Sequence, residues 1–359
     1  MNFSDLTTLR VGGPAGTLVE ATTREQVVEA ALRFWSEPED WLILGGGSNL
    51  VVADEGFAGN VLRVANRGIE RATDGMPRLR VEAGEPWDAV VAFAVGQGLA
   101  GIEALSGIPG TAGAGPIQNI GAYGQQLSDT LLAVDFLDVE SGEVVTLPAS
   151  ELDLGYRTSA LKRGRLGVVL SIELALLDGS GLSAPVAYSQ LASALGVELG
   201  ARVPLQAARD AVLALRSSKG MVWDPADPDS VSAGSFFTNP IVSEAFARTL
   251  PADAPRFPTE PEPEDRVLPL GSQIPPPPSG GADVKLSAAW LIERAGIARG
   301  FSLPGSGAAI SSKHTLAIVN RGGATAADVV QLARFVQTRV ESEFGVRLQN
   351  EPVLVGVEL

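Results

Sequence analysis

Residues 106–124 constrain the fold of this chain most strongly, because six of these nineteen residues are glycine and two are proline. Within a helix each glycine costs about 1 kcal/mol and each proline about 3 kcal/mol, so the stretch predicts a loop. The side chains of Ile108, Ile117, Ile120 and Tyr123 are spaced through it and predict that the loop is buried and ordered. Such a loop offers bare backbone N–H groups at close range, which suits an anionic ligand.

A second glycine-rich loop, residues 45–49, directly follows the apolar run 41–44. Two such loops in one half of a chain predict a site for a large phosphate-bearing cofactor. Either loop alone could be a tight turn that needs positive φ, but that explanation is weaker for the pair. The loop at residues 45–49 lacks the G-x-G-x-x-G spacing of a dinucleotide-binding βαβ unit, and an apolar run resumes at residues 50–52 with no room for a helix.

The length and charge of the chain limit its organisation and its partners. With 359 residues it can form two domains, and the linker-like run 178–181 predicts domains of residues 1–180 and 181–359. A net charge of −15 predicts a surface that repels nucleic acid and anionic membranes, so a few local cations must hold any anionic ligand. No apolar run approaches the roughly 20 residues of a membrane span and no secretion signal is visible, so we expect a cytoplasmic protein.

The available side-chain chemistry is narrow, because the chain has no cysteine and a single histidine, His314. Disulfides, thiolate nucleophiles and cysteine metal sites are excluded, and a multi-histidine metal site or an imidazole triad is nearly so. We therefore expect no metal site, and chemistry from hydroxyls, carboxylates, arginine, lysine or a cofactor. His314 itself is expected to be a surface or structural residue.

Apolar periodicity and chain-breaking residues predict a mixture of strands and helices. The predicted strands are 8–14, which includes a turn, 41–44, 50–52, 61–64, 79–83, 131–139, 143–147, 170–176, 316–319 and 353–357. The predicted helices are one capped by Thr22, one that begins at Pro86, 203–216, 285–298, and one capped by Thr325 that ends at Gly345. Residues 251–281 are rich in proline and acids and predict an exposed insertion or a poorly ordered arm.

Several motifs then occur in a fixed order along the chain: the glycine triplet followed by Ser48 and Asn49, the loop 107–124, residues 155–157, the Gly-Ser-Phe-Phe-Thr-Asn-Pro loop 234–240, and Glu351. In this combination the chain resembles the UDP-N-acetylenolpyruvoylglucosamine reductases, flavoenzymes that complete UDP-N-acetylmuramate in peptidoglycan synthesis. The resemblance extends from about residue 3 to residue 356. The glycine-rich loops alone would indicate only the wider vanillyl-alcohol-oxidase type of FAD-binding fold, and the loop 234–240 makes the match narrow.

The resemblance implies an α+β fold. Residues 1–180 would form an FAD-binding domain of the vanillyl-alcohol-oxidase (PCMH) type, in two subdomains. Residues 181–359 would form a smaller α/β substrate-binding domain that carries the proline-rich insertion, with its final strand packed back on the first domain. FAD would be bound noncovalently, because no cysteine is present and the single histidine lies in the second domain.

The resemblance also implies the reaction, which is an NADPH-dependent reduction of UDP-N-acetylglucosamine enolpyruvate to UDP-N-acetylmuramate by a monomer. Flavin N5 would deliver hydride to the methylene carbon, and the intermediate would be protonated at the adjacent carbon. Ser235 would be the proton donor, while Arg157 and Glu351 would stabilise the charge that develops at the carboxylate. A carboxylate beside a forming anion repels it, so we expect a raised pKa for Glu351 in the bound state.

The remaining site residues follow from the same resemblance. Those expected at FAD are Gly45, Gly46, Gly47, Ser48, Asn49, Gly107, Ile108, Pro109, Gly110, Thr111, Gly113, Gly115, Asn119, Ile120, Gly121 and Tyr123. Those expected at the substrate are Tyr188, Lys219 and Asn239, with Tyr188 on a loop that closes over the diphosphate in one subtype of the family. The sequence around Tyr188 differs from the usual Thr-Tyr-Gly-Asp, and Thr238 stands where the family usually has lysine.

Simpler explanations remain open for these residues. Arg157 could be a surface ion-pairing residue, Ser235 a loop cap, and Glu351 a solvated acid. Lys219 could be a cation that favours a helix C-terminus, and Tyr188 a half-buried strand residue. For the whole chain, the alternatives are an FAD-linked sugar or lactone oxidase or dehydrogenase and a catalytically silent nucleotide-binding protein.

Overall fold

The computed structural model of the chain describes residues 1–259 and 283–359. In residues 1–180 the strands are β1 (Ala15–Ala21), β2 (Trp41–Leu44), β3 (Leu50–Val52), β4 (Phe57–Val64), β5 (Ile69–Arg71), β6 (Arg78–Glu82), β7 (Leu99–Ala100), β8 (Gly121–Ala122), β9 (Gln125–Gln126), β10 (Leu131–Asp138), β11 (Val144–Pro148), β12 (Gly167–Ala175) and β13 (Leu177–Asp178). The helices there are α1 (Phe3–Leu6), α2 (Arg24–Ser36) and α3 (Trp87–Gly96).

After residue 180 the described helices are α4 (Ser189–Leu195), α5 (Leu205–Ser217), α6 (Glu244–Ala247), α7 (Ala288–Arg294) and α8 (Ala326–Phe344). The strands are β14 (Ser232–Ser235), β15 (Ile241–Ser243), β16 (Arg256–Pro258), β17 (Asp283–Leu286), β18 (Ala308–Ile310), β19 (Ala317–Asn320) and β20 (Val353–Val355). Part of the expected proline-rich insertion, from residue 260 on, lies outside the described residues. The part before it contains β16, an edge strand, where a proline is tolerated because one N–H faces away from the ladder.

The first half is built from two sheets. A parallel sheet has the order β1-β4-β2, and an antiparallel sheet has the order β11-β10-β12-β6-β5. Helix α2 packs on both sheets because its apolar residues recur on one face, and Val27, Ala30, Ala31 and Phe34 are buried there. The glycine-rich stretch 106–124 contains turns and a short 3₁₀ helix, Ala112–Ile117, and leads into the short hairpin β8–β9.

The second half is organised around α8, whose buried face packs on β18 and β19 of the sheet β14-β19-β18. Thr325 begins α8, since its side chain accepts a hydrogen bond from the N–H of Asp328, and Gly345 ends the helix with φ of 66°. Both ends were predicted, because a capping threonine and a glycine in the left-handed region are local signals. A second sheet, β15-β17-β16, flanks this core.

The two halves share several connections. β20 pairs in parallel with β3, as expected for the final strand, with Leu354 opposite Val51. The carboxylate of Asp54 accepts hydrogen bonds from the first N–H groups of α8, at 2.7 Å from Ala326 and 3.0 Å from Ala327. Helices α4 and α5 follow residue 180 in sequence but pack on the turn that contains Ala104 in the first half. The domain boundary expected at residue 180 stays a prediction.

Three local predictions were wrong. Residues 8–14 are not a strand, because no neighbouring strand pairs with them, and the amide of Asn320 donates to the carbonyls of Leu9 and Arg10 instead. Residues 285 and 286 belong to β17 rather than to a helix, which begins only at Ala288. The cap of α2 is Thr23 and not Thr22. Among the described residues, no helix is both long and apolar enough to span a bilayer.

Candidate active site

A cavity of about 270 Å³ opens between the two glycine-rich loops and strand β14. Of the residues predicted from the sequence to form the site, those that line this cavity are Gly45, Gly46, Gly47, Ser48, Asn49, Ile108, Pro109, Thr111, Gly115, Ile120, Gly121, Arg157, Ser235 and Glu351. The structure therefore brings the three residues expected to act on the substrate to the same cavity as most of those expected to bind the cofactor.

The glycine-rich loops touch each other, and their contact leaves no room for side chains. A Cβ on Gly46 would come within 2.8 Å of the Cα of Gly110, and a Cβ on Gly45 within 2.7 Å of the Oγ1 of Thr111. The Ser48 hydroxyl donates to the carbonyl of Pro109 at 3.2 Å, which ties the two loops together. Bare backbone therefore lines this wall of the cavity, as a phosphate-bearing cofactor requires.

Arg157 sits on a tight turn in the left-handed region, with φ of 55°. Few non-glycine residues adopt this conformation, and such strain persists only where surrounding contacts hold it. Here the Nη2 of Arg157 donates to the carbonyl of Gly121 at 2.9 Å, and its Nε lies 3.0 Å from the Oε1 of Glu351. The Nε makes no hydrogen bond of good geometry, so the contact with Glu351 is an ion pair rather than an aligned hydrogen bond. Arg157 is thus not an ordinary surface residue.

Glu351 is held by the glycine-rich loops as well as by Arg157. The amide of Gln118 lies 3.3 Å from its Oε1, and Asn49 donates to its carbonyl at 3.2 Å. Only 12% of its side chain is exposed, so the simpler explanation of a solvated acid is wrong. Burial raises the pKa of the Glu351 carboxyl above its usual range, and the opposing charges of Arg157 and Lys162 only moderate that effect.

Ser235 ends strand β14, which pairs with β19 so that Ser235 lies opposite Ala317. The next residue, Phe236, is buried and accepts a hydrogen bond from the N–H of Glu351 at 2.8 Å. One backbone hydrogen bond therefore joins the segment that carries Ser235 to the segment that carries Glu351. This connection explains how two residues far apart in sequence reach one cavity.

His314 lies beside Ser235, with 3.5 Å between its Nε2 and the serine Oγ. Burial, together with the nearby cations Lys219, Arg299 and Arg216, lowers the pKa of the imidazole to about 4. The ring is therefore neutral near pH 7. The contact between His314 and Ser235 was not predictable from sequence, because it depends on the pairing of β14 with β19.

Two further cations line the cavity and were not predicted, Arg216 and Lys162. Arg216 is buried, and burial lowers its pKa to about 10. Its Nη2 donates to the carbonyl of Met221 at 2.9 Å, but its Nε has no hydrogen-bond partner among the described residues. A buried cation that lines a cavity and forms no ion pair in the described part of the chain fits an anionic or electron-rich ligand. In a chain of charge −15, an arginine three residues before Lys219 was an available signal.

Tyr123, Tyr188 and Lys219 form a separate group outside the residues that line the cavity. The rings of Tyr123 and Tyr188 meet edge to face with centroids 5.7 Å apart, and the Nζ of Lys219 lies 5.5 Å from the centroid of Tyr123. Lys219 also donates to the amide oxygen of Gln190 at 2.8 Å. Tyr188 is 46% exposed and directly precedes α4, so the alternative of a half-buried strand residue is wrong.

Other predicted site residues are engaged within the protein and do not line the cavity. The side chain of Asn119 is buried and bonded to Ser128 and to the carbonyl of Gly155, so it fixes the turn that carries Arg157. The amide oxygen of Asn239 accepts from the N–H of Ala288 at the start of α7. Gly110 packs against Ser48 of the other loop, Gly107 lies against Leu213 and Val222, and Gly113 lies against Ala83, and none of the three lines the cavity. A role for any of these residues at a ligand stays a prediction.

The loop 234–240 also has a cation beside it, although Thr238 replaces the family's usual lysine. The Nζ of Lys285 lies 4.9 Å from the centroid of the Tyr156 ring, and the Tyr156 hydroxyl accepts from the N–H of Asn239. Burial and the charge of Arg157 lower the pKa of Lys285.

Comparison with known proteins agrees with this geometry. Residues 15–148 match the family model of an FAD binding domain, which makes the chain an FAD-dependent oxidoreductase. Residues 225–355 match the model described as the C-terminal domain of UDP-N-acetylenolpyruvoylglucosamine reductase. The chain belongs to the UDP-N-acetylenolpyruvoylglucosamine reductase family, and the expected α+β fold with an FAD-binding domain is confirmed.

Relatives of this family match along nearly their full length. The enzyme of that name from Leifsonia xyli subsp. xyli is 62% identical over 372 residues, which cover 99% of this chain and 98% of the relative. The one from Saccharopolyspora erythraea is 52% identical over 355 residues, covering 98% of this chain and 94% of the relative. The solved structure of the reductase from Thermus caldophilus superposes with a TM-score of 0.63 at 27% identity, covering 99% of this chain and 97% of that one.

Proposed function

We propose that the chain reduces UDP-N-acetylglucosamine enolpyruvate to UDP-N-acetylmuramate with NADPH as hydride donor and FAD as cofactor. The observation that carries this proposal is the convergence of Arg157, Glu351 and Ser235 on one cavity walled by the two glycine-rich loops. Family membership supports the same reaction, because the relatives named above are reductases of this substrate.

The residues present fit FAD. The close contact between the loops at Gly46 and Gly110 leaves only backbone on that wall, and Arg216 lines the same cavity. FAD, when bound, supplies the hydride carrier between NADPH and the enolpyruvyl double bond. We infer that it is held noncovalently, since the chain has no cysteine and its single histidine is in contact with Ser235.

Arg157 and Glu351 act on the enolpyruvyl carboxylate. Arg157 presents a rigid set of donors to an oxygen on which charge develops, and donors fixed in advance act most strongly at the transition state. Because the pKa of Glu351 is raised, its carboxyl is more readily neutral than a solvated one. A neutral carboxyl beside Arg157 can donate a hydrogen bond to the forming anion instead of repelling it.

Ser235 supplies the proton that completes the reduction. A serine hydroxyl is a weak acid in water, and it serves only where the acceptor carbon is strongly basic and water is excluded. Phe236 and Phe237, which follow it, are buried in the hydrophobic core of the second half. Lys219 and Tyr188 are the residues we assign to the diphosphate of the substrate, because a cation and an exposed phenol are already in one group there.

The remaining features of the proposal concern the whole protein. We propose a cytoplasmic location, since NADPH and UDP-sugars are cytoplasmic metabolites, and a monomer, since the residues of the site come from one chain. We keep residues 1–180 as the cofactor-binding domain and 181–359 as the substrate-binding domain. The assignment to the subtype with a closing tyrosine loop is also a proposal, supported by the exposure of Tyr188.

The test is a pair of half-reactions under anaerobic conditions. NADPH should bleach the yellow protein, and UDP-N-acetylglucosamine enolpyruvate should then restore the colour. Ser235→Ala should slow the return of colour by several orders of magnitude and leave bleaching by NADPH nearly unchanged. Ser243→Ala, which removes the cap of α6 in the same half of the chain, is the matched control and should alter neither step.

Other outcomes would contradict the proposal. Oxygen consumption with a sugar or lactone and without NADPH would indicate an oxidase, and no bleaching by NADPH would indicate a silent nucleotide-binding protein. An equal loss in both half-reactions of Ser235→Ala would give Ser235 a folding or binding role instead of proton donation.

A further inference from the structure

We propose that His314 positions Ser235 for proton donation, with the Nε2–H of the imidazole donating a hydrogen bond to the serine Oγ. That bond would direct the serine's own hydrogen into the cavity and would stabilise the alkoxide left after the proton has been given up. The inference rests on the proposed function, in which Ser235 is the proton donor.

The sheet brings the two residues together. Ser235 lies opposite Ala317 in the pairing of β14 with β19, and the N–H of Phe236 donates to the carbonyl of Leu316 at 2.7 Å. The turn between β18 and β19, which carries His314, therefore lies beside the serine. The separation of 3.5 Å between Nε2 and Oγ is at the upper limit for a hydrogen bond, and the proposed role requires it to shorten when the serine gives up its proton.

The turn that carries His314 is rigid. The hydroxyl of Ser311 accepts hydrogen bonds from the N–H groups of Lys313 and His314, at 3.1 and 3.2 Å. Ser312 is bonded through both its N–H and its hydroxyl to the carboxylate of Asp229. The Nζ of Lys313 forms an ion pair with Asp227 at 2.8 Å. These contacts fix the backbone on either side of the imidazole, so its ring has a defined position against Ser235.

The charges around the ring favour its neutral form. The charged groups that act on it are Lys219, Arg299 and Arg216, all cations, and burial opposes a further positive charge. A neutral imidazole has one N–H and one bare nitrogen. A bare Nε2 would accept the serine hydrogen and hold it away from the substrate, whereas an Nε2–H leaves that hydrogen free. The geometry therefore suits proton donation only when Nε2 carries the hydrogen.

The proton transfer balances without a change at the imidazole. The O–H bond of Ser235 breaks, and its proton goes to the substrate carbon that carries the electron pair, forming the new C–H bond. The oxygen keeps the bonding electrons as an alkoxide, which later takes a proton from water. Throughout, the Nε2–H stays on the ring and its hydrogen bond shortens as the oxygen becomes negative.

The single histidine of the chain makes the tautomer directly measurable. Flavin-loaded protein labelled with ¹⁵N-histidine should show one neutral imidazole near pH 7, with the hydrogen on Nε2. Ser235→Ala should shift the Nε2 resonance and leave Nδ1 nearly unchanged. A hydrogen on Nδ1, with Nε2 bare, would overturn the proposal.

Kinetics of two substitutions give an independent test. His314→Gln keeps an N–H donor near the position of Nε2, whereas His314→Met has similar bulk and no donor. We expect His314→Met to slow reoxidation by UDP-N-acetylglucosamine enolpyruvate about 10- to 100-fold, with reduction by NADPH and KM little changed. His314→Gln should recover most of that loss. In the Ser235→Ala background, His314→Met should add less than about twofold, because contacts that act as a unit are non-additive.

The opposite results would overturn the inference without affecting the proposed function. Equal losses in both half-reactions, an equal loss for His314→Gln, or a full additional loss in the Ser235→Ala background would show that His314 does not act through Ser235. Failure of the proposed function is a different result, in which Ser235→Ala itself leaves reoxidation unchanged.

Discussion

Arg216 is unusual among the arginines that the structure describes because it is buried and forms no ion pair. Arg209, two turns earlier in α5, forms two hydrogen bonds of 2.7 Å with Asp88, which offset the loss of hydration of its charge. Arg216 has only the carbonyl of Met221 as a partner, and its Nε is unused among the described residues. Burying a charge without an ion-pair partner costs free energy, so Arg216 lowers the stability of the protein unless a ligand offsets its charge.

Replacing Arg216 should therefore affect binding and stability in opposite directions. We expect Arg216→Met to weaken FAD binding about 10- to 100-fold, and to leave the free energy of unfolding of the FAD-free protein unchanged or higher. Arg209→Met is the control, because it breaks a paired charge and should lower that free energy without changing the FAD affinity. Fluorescence titration with FAD and urea unfolding measure the two quantities. An unchanged FAD affinity in Arg216→Met would contradict this assignment.

Among the elements, α8 shows how one helix end can couple two parts of a chain. Its first N–H groups would be unsatisfied in an isolated helix, and Asp54 from the other half accepts two of them. The carboxylate also lies at the positive end of the helix dipole. Asp54 is exposed, so the sequence offered no reason to single it out.

Loss of the Asp54 carboxylate should lower the stability of the whole chain. We expect Asp54→Ala to reduce the free energy of unfolding by about 1–2 kcal/mol, as for the loss of a helix cap. Glu55→Ala removes the same charge one residue away, from an exposed side chain, and should change that free energy by less than about 0.5 kcal/mol. Urea unfolding at low salt provides both free energies of unfolding. Equal losses for the two substitutions would show that Asp54 contributes through its charge alone and not through its hydrogen bonds to α8.

Elements with strong local signals were predictable from sequence. Thr325 and Gly345 mark both ends of α8, and the hairpin of β10 with β11 surrounds a Ser-Gly turn. The predictions failed where pairing with a strand that is distant in sequence determines the local structure. Lys285 lies in a strand because β15 and β16 pair on either side of it. Residues 8–14 have strand-like alternation but no strand beside them.

In the candidate site, too, the features with a local sequence signal were predictable and those that depend on distant contacts were not. Both glycine-rich loops were evident from composition alone, whereas Arg157, Ser235 and Glu351 could be assigned only through resemblance to a family. The residues next to Glu351 do not distinguish it from the other acidic residues of the chain, most of which would be expected at the surface. The roles of His314 and Gln118 depend on strand register and loop packing, which no short window of sequence contains.

At the scale of the whole molecule, the charged groups that lower the pKa of His314 are cations, although the chain carries −15 overall. These cations affect the stability of the folded protein as well as the binding of an anionic ligand. Burial lowers the pKa of His314 to about 4 in the folded protein from an ordinary value of 6.5, so the unfolded chain binds a proton more readily. The stabilising contribution of the neutral ring is complete above about pH 6.5 and is lost as the pH falls through about 4.

His314→Gln should remove that part of the acid sensitivity. Between pH 7 and pH 4, the free energy of unfolding of the natural protein should fall by about 3 kcal/mol more than that of His314→Gln, from a shift of roughly two pKa units. Urea unfolding at a series of pH values measures the difference, in which titrations common to both proteins cancel. If the free energies of unfolding of the two proteins changed in parallel with pH, the pKa of the His314 imidazole would not be lowered by burial.

The pairing of β20 with β3 has a consequence for synthesis on the ribosome. A nascent chain that has reached residue 350 already holds both glycine-rich loops, Arg157 and Ser235, yet it lacks the carboxylate of Glu351 and the strand that seats it. Among the described strands, β3 has no partner until β20 has been translated, some three hundred residues later, from 52 to 353. In the proposed function, the residues that bind the cofactor are therefore translated before Glu351, and turnover requires that β20 has paired with β3.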